Sequence, residues 1–423
     1  MENKNKYWKG LEELNNDPKF IQNRKNEFAE GIPLEEVLTE KEGELTANRR
    51  DFLKYFGFGV SAVALAACNK APIKNAIPYL VKPETISPGI PNWYASTNPN
   101  TGVSLLVKTR EGRPVKIEGN PESSIFKGGV GAIDHASVLE LYDNERLQGP
   151  KIDGKDSDWK TIDEKLTTAL SGAKNIRLVS GNINSPSAKR AITEFTTKYP
   201  QAKHVTYEPI SYNAIIEANN QSFGKAVIPG YQFDKANVIV GFNADFLGTW
   251  ISPVEYTKQW VKNRKVGSTN NGAKTMSRHY QFESNLSLTG SNADIRIPIK
   301  PSAETVALIS LYNKVATLAG ATKLSSPGDI EFAVNMVENA AKELWENKGA
   351  SLVVCGTNNI TNQLIVNAIN SILGNIGKTV DLDNYSNQKG GNDAAFETFV
   401  AELNSGAVDA VIFLNSNPAY NYY

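Results

Sequence analysis

Ala236-Asn237-Val238-Ile239-Val240-Gly241 is a short apolar run, rich in β-branched residues, that ends in glycine. Such a run is typical of a strand that is buried on both faces of a parallel sheet. The pattern recurs upstream in Ile176–Gly181 and downstream in Ser351–Gly356 and Ala410–Asn415. Segments with apolar residues at helical spacing separate these runs, which makes repeated strand–helix–strand units. The sequence therefore predicts an α/β fold with doubly wound parallel sheets.

The units fall into two sets, which predict one α/β lobe over residues 155–300 and a second over 301–423. A β-rich region, 101–154, precedes them and contains a hairpin around the turn Glu111-Gly112. Residues 69–100 contain six prolines, which keep a chain extended and disfavour helix. We interpret them as an irregular arm that lies over another surface, and a flexible tether explains the same composition.

Residues 1–68 carry a motif that is typical of a leader. Two arginines stand before a phenylalanine and a leucine, and a weakly apolar run follows them. This pattern resembles a twin-arginine export signal, which a receptor reads as an address. The export signal residues are Arg49, Arg50, Phe52 and Leu53.

The apolar run ends in Leu65-Ala66-Ala67-Cys68, which resembles a bacterial lipobox. The resemblance implies that the thiol of Cys68 is lipidated after export. Two other interpretations stay open. About a dozen apolar residues also make a buried core helix, or the run is an uncleaved membrane anchor, although a span needs about 20 residues.

The composition excludes several classes of function. Forty-five basic residues balance 45 acidic ones, so no basic excess points to nucleic acid. The two cysteines, Cys68 and Cys355, cannot form a disulfide framework. The three histidines are too far apart in the sequence to show the spacing of metal ligands. An iron–sulfur cluster needs about four cysteine thiolates, so this stretch cannot hold one alone. We predict no metal site and no catalytic residue in it.

Several turns could bind a ligand, because glycine at the end of a parallel strand lets backbone N–H groups approach phosphate. The same residues also serve turn geometry alone. We interpret Cys355 as a buried, inert thiol, and His279 as a residue that could line a polar cleft. The candidate turns are Gly128-Gly129-Val130-Gly131, Ser180-Gly181-Asn182, Gly241-Phe242-Asn243, Gly356-Thr357-Asn358-Asn359 and Asn415-Ser416-Asn417-Pro418.

The order of several short motifs resembles the large subunit of molybdopterin oxidoreductases from about residue 85 to the end. The resemblance implies that family's fold. The motifs are Pro88-Gly89, Trp93-Tyr94-Ala95, the hairpin from Arg110 to Pro121, Tyr142-Asp143, Arg146-Leu147-Gln148-Gly149-Pro150, Trp159 at the start of a helix, and Asn415-Ser416-Asn417-Pro418.

The departures from that family are informative. Its members usually carry cysteines on both sides of this hairpin, and these hold a four-iron cluster. Residues 94–102 and 127–135 contain no cysteine here. The comparison implies that this cluster is absent, and no serine or cysteine can be assigned as a molybdenum ligand.

With the long leader and the twin-arginine motif, the chain is similar to the molybdopterin-like iron–sulfur subunit of bacterial alternative complex III. That resemblance implies a non-catalytic scaffold domain, the N-terminal portion of a longer subunit, at the periplasmic face of the inner membrane. It implies no cofactor in this stretch and iron–sulfur clusters in the remainder of the subunit. The implied partners are a multihaem cytochrome c subunit with haem c and polytopic quinol-binding membrane subunits, with no nucleic acid.

Two other functions stay open. The chain could be an active exported molybdopterin-dependent oxidoreductase, whose pterin is held by the strand-ending turns. It could also be an exported solute-binding lipoprotein with two α/β lobes. The missing cysteines favour the scaffold over the enzyme.

Overall fold

The structure, a computed structural model, describes residues 89–265, 276–326 and 333–422, with the single residues Pro18, Ser87 and Gly328. Within these residues, no helix is both long enough and apolar enough to cross a membrane. The predicted export signal and lipidation site lie outside the described residues and stay predictions: Arg49, Arg50, Phe52, Leu53 and Cys68.

The strands in the described ranges form both parallel and antiparallel sheets. They are β1 (Asn92–Thr97), β2 (Ser104–Arg110), β3 (Arg113–Gly119), β4 (Lys151–Ile152), β5 (Lys155–Asp156), β6 (Ile176–Ser180), β7 (Ala202–Thr206), β8 (Ile228–Tyr231), β9 (Val238–Phe242), β10 (Arg278–Glu283), β11 (Ile295–Pro298), β12 (Ser351–Cys355), β13 (Val380–Ser386) and β14 (Ala410–Leu414).

Helices alternate with the strands from residue 159 onward. In the part of the chain that the structure describes, the helices are α1 (Ala132–Ala136), α2 (Trp159–Gly172), α3 (Pro186–Lys198), α4 (Asn213–Phe223), α5 (Pro253–Lys262), α6 (Leu288–Ser291), α7 (Glu304–Ala319), α8 (Val334–Glu346), α9 (Ile360–Ile372), α10 (Asp393–Asn404) and α11 (Pro418–Asn421).

Local sequence signals set several helix ends. The hydroxyl of Ser185 accepts a hydrogen bond from the N–H of Ala188, and Pro186 takes the first position of α3. Gly224 and Gly320 end α4 and α7 in the left-handed conformation that glycine adopts without strain. These signals determine where α3 begins and where α4 and α7 end.

The predicted hairpin is confirmed as β2 and β3. Its two turn residues, Glu111 and Gly112, both have positive φ, as a two-residue hairpin turn requires. The segment just before it differs from the prediction, because β1 pairs antiparallel with β2 where an irregular arm was expected. Pro91 and Pro99 flank this strand and leave its interior free of proline. The high proline content of residues 69–100 therefore gave no indication of this strand.

Gly119, at the end of β3, is predicted to tolerate no side chain. A Cβ there would lie 2.3 Å from the carbonyl oxygen of Gly128, which is backbone and cannot rotate away. We expect Gly119→Ala to lower the free energy of unfolding by about 2 to 3 kcal/mol in a denaturant titration. Gly149→Ala, where a Cβ meets nothing within 4 Å, is the control and should change little. Equal losses in both variants would contradict the packing argument.

The first parallel sheet has the order β11–β10–β9–β12, and the apolar run from Ala236 to Gly241 contributes β9 near its centre. Alternate residues of β9 point to opposite faces. Val240 packs in a core with Leu308 of α7, whereas Ile239 packs in a second core with Tyr256 of α5. Helices cover both faces, so the α/β fold class with parallel sheets is confirmed.

The second parallel sheet has the order β14–β6–β7. All five residues of β6 are buried, and Val179 packs against Phe396 and Phe399 of α10. The sheets do not divide at residue 300 as the predicted lobes 155–300 and 301–423 would. Strand β12 joins β9, and β14 joins β6, because parallel pairing depends on matching apolar strands and not on closeness in the sequence.

A separate two-stranded sheet lies beside the parallel ones in the sequence, because β13 pairs antiparallel with β8. A bulge interrupts the pairing between Asp381 and Ser386. The segment after this bulge leads directly to the cleft described below.

Candidate functional site

A cleft of about 1340 Å³ opens at the carboxyl ends of β6, β7 and β14. Its opposite wall is formed by the turn between β1 and β2, from Asn98 to Gly102, and by residues Ser124 to Lys127. Residues after β13, from Asn384 to Lys389, complete the cleft. The antiparallel sheet and the second parallel sheet therefore face each other across it.

The cleft lies at a switch point of the sheet. From β6 the chain passes to β7 on one side, while β14 lies on the other side of β6. In open α/β sheets, ligands bind in the crevice at such a point. Two of the predicted turns, Ser180-Gly181-Asn182 and Asn415-Ser416-Asn417-Pro418, meet here. Asn415 has a φ of 48°, a left-handed conformation that asparagine tolerates better than most residues.

Asn182 fixes the turn after β6. Its side-chain nitrogen donates hydrogen bonds to the carbonyl oxygen of Asn387 (2.6 Å) and to Oδ1 of Asn184 (3.2 Å). Gly390 packs against this amide, since a Cβ at Gly390 would lie 2.9 Å from Oδ1 of Asn182. The turn is held before any ligand binds.

Glu208, just after β7, is the first charged group of the cleft. Burial raises the pKa of its carboxyl group above the ordinary value, and the ammonium group of Lys389 opposes that shift. The two charges lie 3.7 Å apart, from Nζ to Oε2. Oε1 accepts a hydrogen bond from the N–H of Asn182 (3.4 Å), which links the ends of β6 and β7.

Glu255, in the first turn of α5, is the second buried carboxyl group. Burial raises its pKa, and the charge of Lys127 opposes the rise. Its Oε1 accepts a hydrogen bond from Nε2 of Gln259 (3.1 Å). Oε1 of Gln259 accepts in turn from the N–H of Phe233 (2.8 Å). These bonds connect one wall of the cleft to the buried core that contains Phe233.

A buried group of side chains, the Asp134 clasp, holds the wall formed by the antiparallel sheet. Oδ1 of Asp134 accepts hydrogen bonds from Nδ2 of Asn98 (2.8 Å) and Oγ1 of Thr101 (2.5 Å). Oδ2 accepts from the N–H of Gly131 (2.9 Å). Asp134 is 1% exposed and Asn98 is 3% exposed. The clasp therefore joins the segment before the hairpin to the segment after it.

The donors of the cleft fit a polar organic ligand. Its lining is rich in amides and hydroxyls, and its lysines, Lys127, Lys189 and Lys389, are accompanied by Glu208 and Glu255. The lining contains neither cysteine nor histidine, and three of its serine hydroxyls bond the backbone: Ser185, Ser386 and Ser416. Among the described residues, no three His, Cys, Asp or Glu side chains come close enough to hold a metal ion.

Two other predicted turns meet at the first parallel sheet instead. Gly241-Phe242-Asn243 ends β9 and Gly356-Thr357-Asn358-Asn359 follows β12, and a buried carboxylate, Glu304, lies between them. The fifth turn, Gly128-Gly129-Val130-Gly131, uses its N–H groups within the protein, because Gly128 donates to the carbonyl oxygen of Asn120 (2.9 Å). That contact favours the interpretation as a plain turn.

Cys355 is buried at the end of β12, as expected of an inert thiol. Burial raises the pKa of the thiol well above its ordinary value, and the charge of Glu304 adds to that shift. The thiolate is the reactive form, so this cysteine is protonated and unreactive at neutral pH.

The interpretation that His279 lines a polar cleft is wrong. The residue lies in β10 and is fully buried between the rings of Phe246 and Trp260, with centroids at 5.2 and 6.3 Å. Its Nε2 shares a hydrogen bond of 3.3 Å with Oε1 of Gln281, and its Nδ1 has no hydrogen-bond partner. The residues of β10 from His279 to Glu283 are all buried, so both faces of this strand are covered.

We predict that His279 makes the protein less stable in mild acid. Burial, with a contribution from Arg264, lowers its pKa from 6.5 to about 4. The unfolded chain therefore binds a proton that the folded chain does not, and stability falls as pH drops from about 6.5 toward 4. The loss should reach about 3 kcal/mol, at 1.36 kcal/mol per pKa unit.

Denaturant titrations of wild type and His279→Phe at several pH values test this prediction. The variant should lose less stability than wild type between pH 6.5 and 4.5, because it has no proton to bind at this position. Parallel stability curves for the two proteins would show that another group causes the acid sensitivity.

The sequence did not reveal the charged groups of the cleft. Glu208, Glu255 and Lys389 lie far apart in the sequence and in no motif. One usable signal was position, since Glu208 stands two residues beyond the end of β7, on the edge where ligands bind in such sheets.

Comparison with known proteins gives two similarities in sequence. The chain is 26% identical over 224 residues to the molybdopterin-binding-like subunit of menaquinone reductase from Nitratidesulfovibrio vulgaris, covering 50% of this chain and 30% of that protein. It is 22% identical over 314 residues to the molybdopterin-containing subunit ArrA of arsenate respiratory reductase from Shewanella sp. ANA-3, covering 69% and 35%. The chain is therefore molybdopterin oxidoreductase-like, and it spans about a third of each relative. No family model matches it.

Two solved structures are distantly similar to the chain. One is a formyltransferase/hydrolase complex from Methylorubrum extorquens, with a TM-score of 0.44 and 13% identity over 64% of this chain and 78% of that chain. The other is acetylene hydratase from Pelobacter acetylenicus, with a TM-score of 0.41 and 10% identity over 70% of this chain and 42% of that chain.

Proposed function

We propose that this chain is a non-catalytic scaffold domain of a membrane-attached quinol-oxidising complex of the alternative complex III kind. In this proposal the electron carriers lie outside this stretch, as iron–sulfur clusters and as haem c in a multihaem cytochrome c partner. Polytopic subunits bind the quinol. The domain lies at the periplasmic face, after twin-arginine export, with a lipid on Cys68.

The Asp134 clasp is the observation that carries the proposal. In a relative that carries the cluster, cysteines are expected on both sides of the hairpin. The corresponding segments of this chain are residues 94–102 and 127–135. Here Asn98 and Thr101 of the first segment donate hydrogen bonds to Asp134 of the second. A buried carboxylate thus joins the two segments, as a metal cluster would through its ligands. These hydrogen bonds can therefore hold the two segments together without an iron–sulfur cluster.

The name of one relative supports the same proposal. The protein from Nitratidesulfovibrio vulgaris is a molybdopterin-binding-like subunit of a menaquinone reductase. That name describes a subunit that resembles a molybdopterin-binding protein and belongs to an enzyme that acts on a quinone. The lining of the cleft contains neither cysteine nor histidine, which agrees with such a role.

The test is elemental and subunit analysis of the protein purified from its native membranes in mild detergent. We expect molybdenum and tungsten far below one atom per chain, with iron, c-type haem and integral-membrane subunits in the same particle. A molybdenum enzyme purified from the same cells is the control for metal supply. Molybdenum and pterin near one per chain would overturn the scaffold proposal.

A second function, an active exported molybdopterin-dependent oxidoreductase, is favoured by one observation. The cleft opens at a switch point, and the turn after β6 is already held by Asn182. The same purification separates the two functions, because an enzyme would carry pterin. If pterin is found, Asn182→Ala should release it while Asn404→Ala, at the end of α10 and away from the cleft, should not.

A further inference from the structure

The first parallel sheet has its own switch point, between β9 and β12. From β9 the chain passes to β10 and β11 on one side, while β12 lies on the other. Asn243, directly after β9, has a φ of 47°. A Cβ at Gly356, directly after β12, would lie 2.2 Å from the carbonyl oxygen of Asn243, so the two turns touch.

Glu304 fills the space where these turns meet. It is the first residue of α7 and is 3% exposed. Its Oε1 accepts hydrogen bonds from Nδ2 of Asn362 (3.0 Å), from Sγ of Cys355 (3.3 Å) and from Oγ1 of Thr357. Its Oε2 accepts from Nδ2 of Asn243. Every one of these partners acts as a donor.

The donors are aimed at the carboxylate by other hydrogen bonds. Oδ1 of Asn243 accepts from the N–H of Ser284 (3.0 Å), and Oδ1 of Asn362 accepts from Oγ1 of Thr305 (2.8 Å). Each amide therefore has its oxygen engaged elsewhere and presents its NH₂ group to Glu304. Preorganised donors of this kind, from separate elements, are what an anion-binding site needs.

We propose that this crevice is a carboxylate-binding site that the chain occupies with its own Glu304. Its ligand class is a small carboxylate, held by two amide NH₂ groups, a hydroxyl and a thiol at the end of the sheet. Glu304 thus acts as an internal ligand that ties β9, β12, α7 and α9 together. The sequence singled out two of its turns, Gly241-Phe242-Asn243 and Gly356-Thr357-Asn358-Asn359, but not Glu304.

Chemical rescue of Glu304→Ala in the full chain tests the proposal. Removing the side chain should open the site, and sodium formate should then raise the melting temperature in a saturable way, by at least about 3 °C. Sodium chloride at equal ionic strength controls for salt. Leu308→Ala, one turn along α7 and fully buried, is the matched control, because its cavity has no donors. A folded Glu304→Ala protein that formate does not stabilise more than Leu308→Ala would overturn the proposal.

A charge exchange tests the same site if Glu304→Ala does not fold. Asn243→Asp alone should lower the melting temperature, because it sets two carboxylates against each other. Glu304→Gln alone should lower it too, because it sets two NH₂ groups against each other. In the double variant Asn243→Asp/Glu304→Gln, the new amide would donate to the new carboxylate and still accept from Thr357 and Asn362. The melting temperature should therefore recover above that of both single variants, and additive losses would overturn the proposal.

Discussion

Replacing Asp134 by alanine should lower the free energy of unfolding by about 4 kcal/mol, since three hydrogen-bond donors lose their acceptor at once. The donors are Nδ2 of Asn98, Oγ1 of Thr101 and the N–H of Gly131. Asn98 is almost fully buried, so water cannot easily replace the lost bond. Urea titration followed by circular dichroism measures the change.

Two further variants make the Asp134 result specific. Asp134→Asn keeps the shape but sets an NH₂ group among the donors, so it should also destabilise, although less than alanine does. Asp143→Ala removes an exposed carboxylate that accepts one local hydrogen bond, from the N–H of Glu145 (2.9 Å), and should change stability little. A loss below about 1 kcal/mol for Asp134→Ala would mean that the clasp does not hold the wall of the cleft.

Replacing Asp294 by alanine should have a comparable effect, a loss of about 3 to 4 kcal/mol, because it leaves a largely buried arginine without its partner. Asp294 accepts bonds from Nη2 (2.7 Å) and Nη1 (2.9 Å) of Arg264, and from the N–H of His279 (2.8 Å). Burial alone would raise the pKa of Asp294, but the guanidinium group of Arg264 and the N–H of His279 together outweigh it, and the pKa lies below its ordinary value.

A double-mutant cycle checks this prediction. Arg264→Met keeps the long apolar stem over the ring of Trp260, which the guanidinium carbon now approaches at 4.6 Å from the ring centroid. The double variant Asp294→Ala/Arg264→Met should lose less stability than the sum of the two single variants, because neither charge is left unpaired. Strictly additive losses would show that the two residues stabilise the fold independently.

The sequence was sufficient for the parts of the fold that depend on local pattern. The run of β9 predicted a buried parallel strand, and Glu111-Gly112 predicted a hairpin turn, because hydrophobic periodicity and turn geometry are properties of neighbouring residues. It was not sufficient for β10. His279, Gln281 and Glu283 alternate with aromatic residues there, and only the surrounding structure shows that these polar groups are buried. Glu283, for example, pairs with Arg296 of the adjacent strand (2.6 Å).

The candidate site was predictable in the same partial way. Ser180-Gly181-Asn182 and Asn415-Ser416-Asn417-Pro418 were recognised as strand-ending turns, and the parallel pairing of β6 with β14 brings them together. The pairing itself could not be derived, because several runs have equivalent apolar patterns. The charges of the cleft and the donors around Glu304 come from segments that only the folded chain brings together.

The position of β14 in the second parallel sheet has a consequence for synthesis. Strand β6 is buried along its whole length and needs a neighbour on both edges, and β14 is the last strand of the described chain. A nascent chain therefore carries β6 with one edge open until nearly all the residues described here have left the ribosome. Long-range parallel pairing of this kind is slow and exposes unpaired edges to aggregation. A chaperone that protects this edge during translation would thus raise the yield of folded protein more than one that acts on the completed chain.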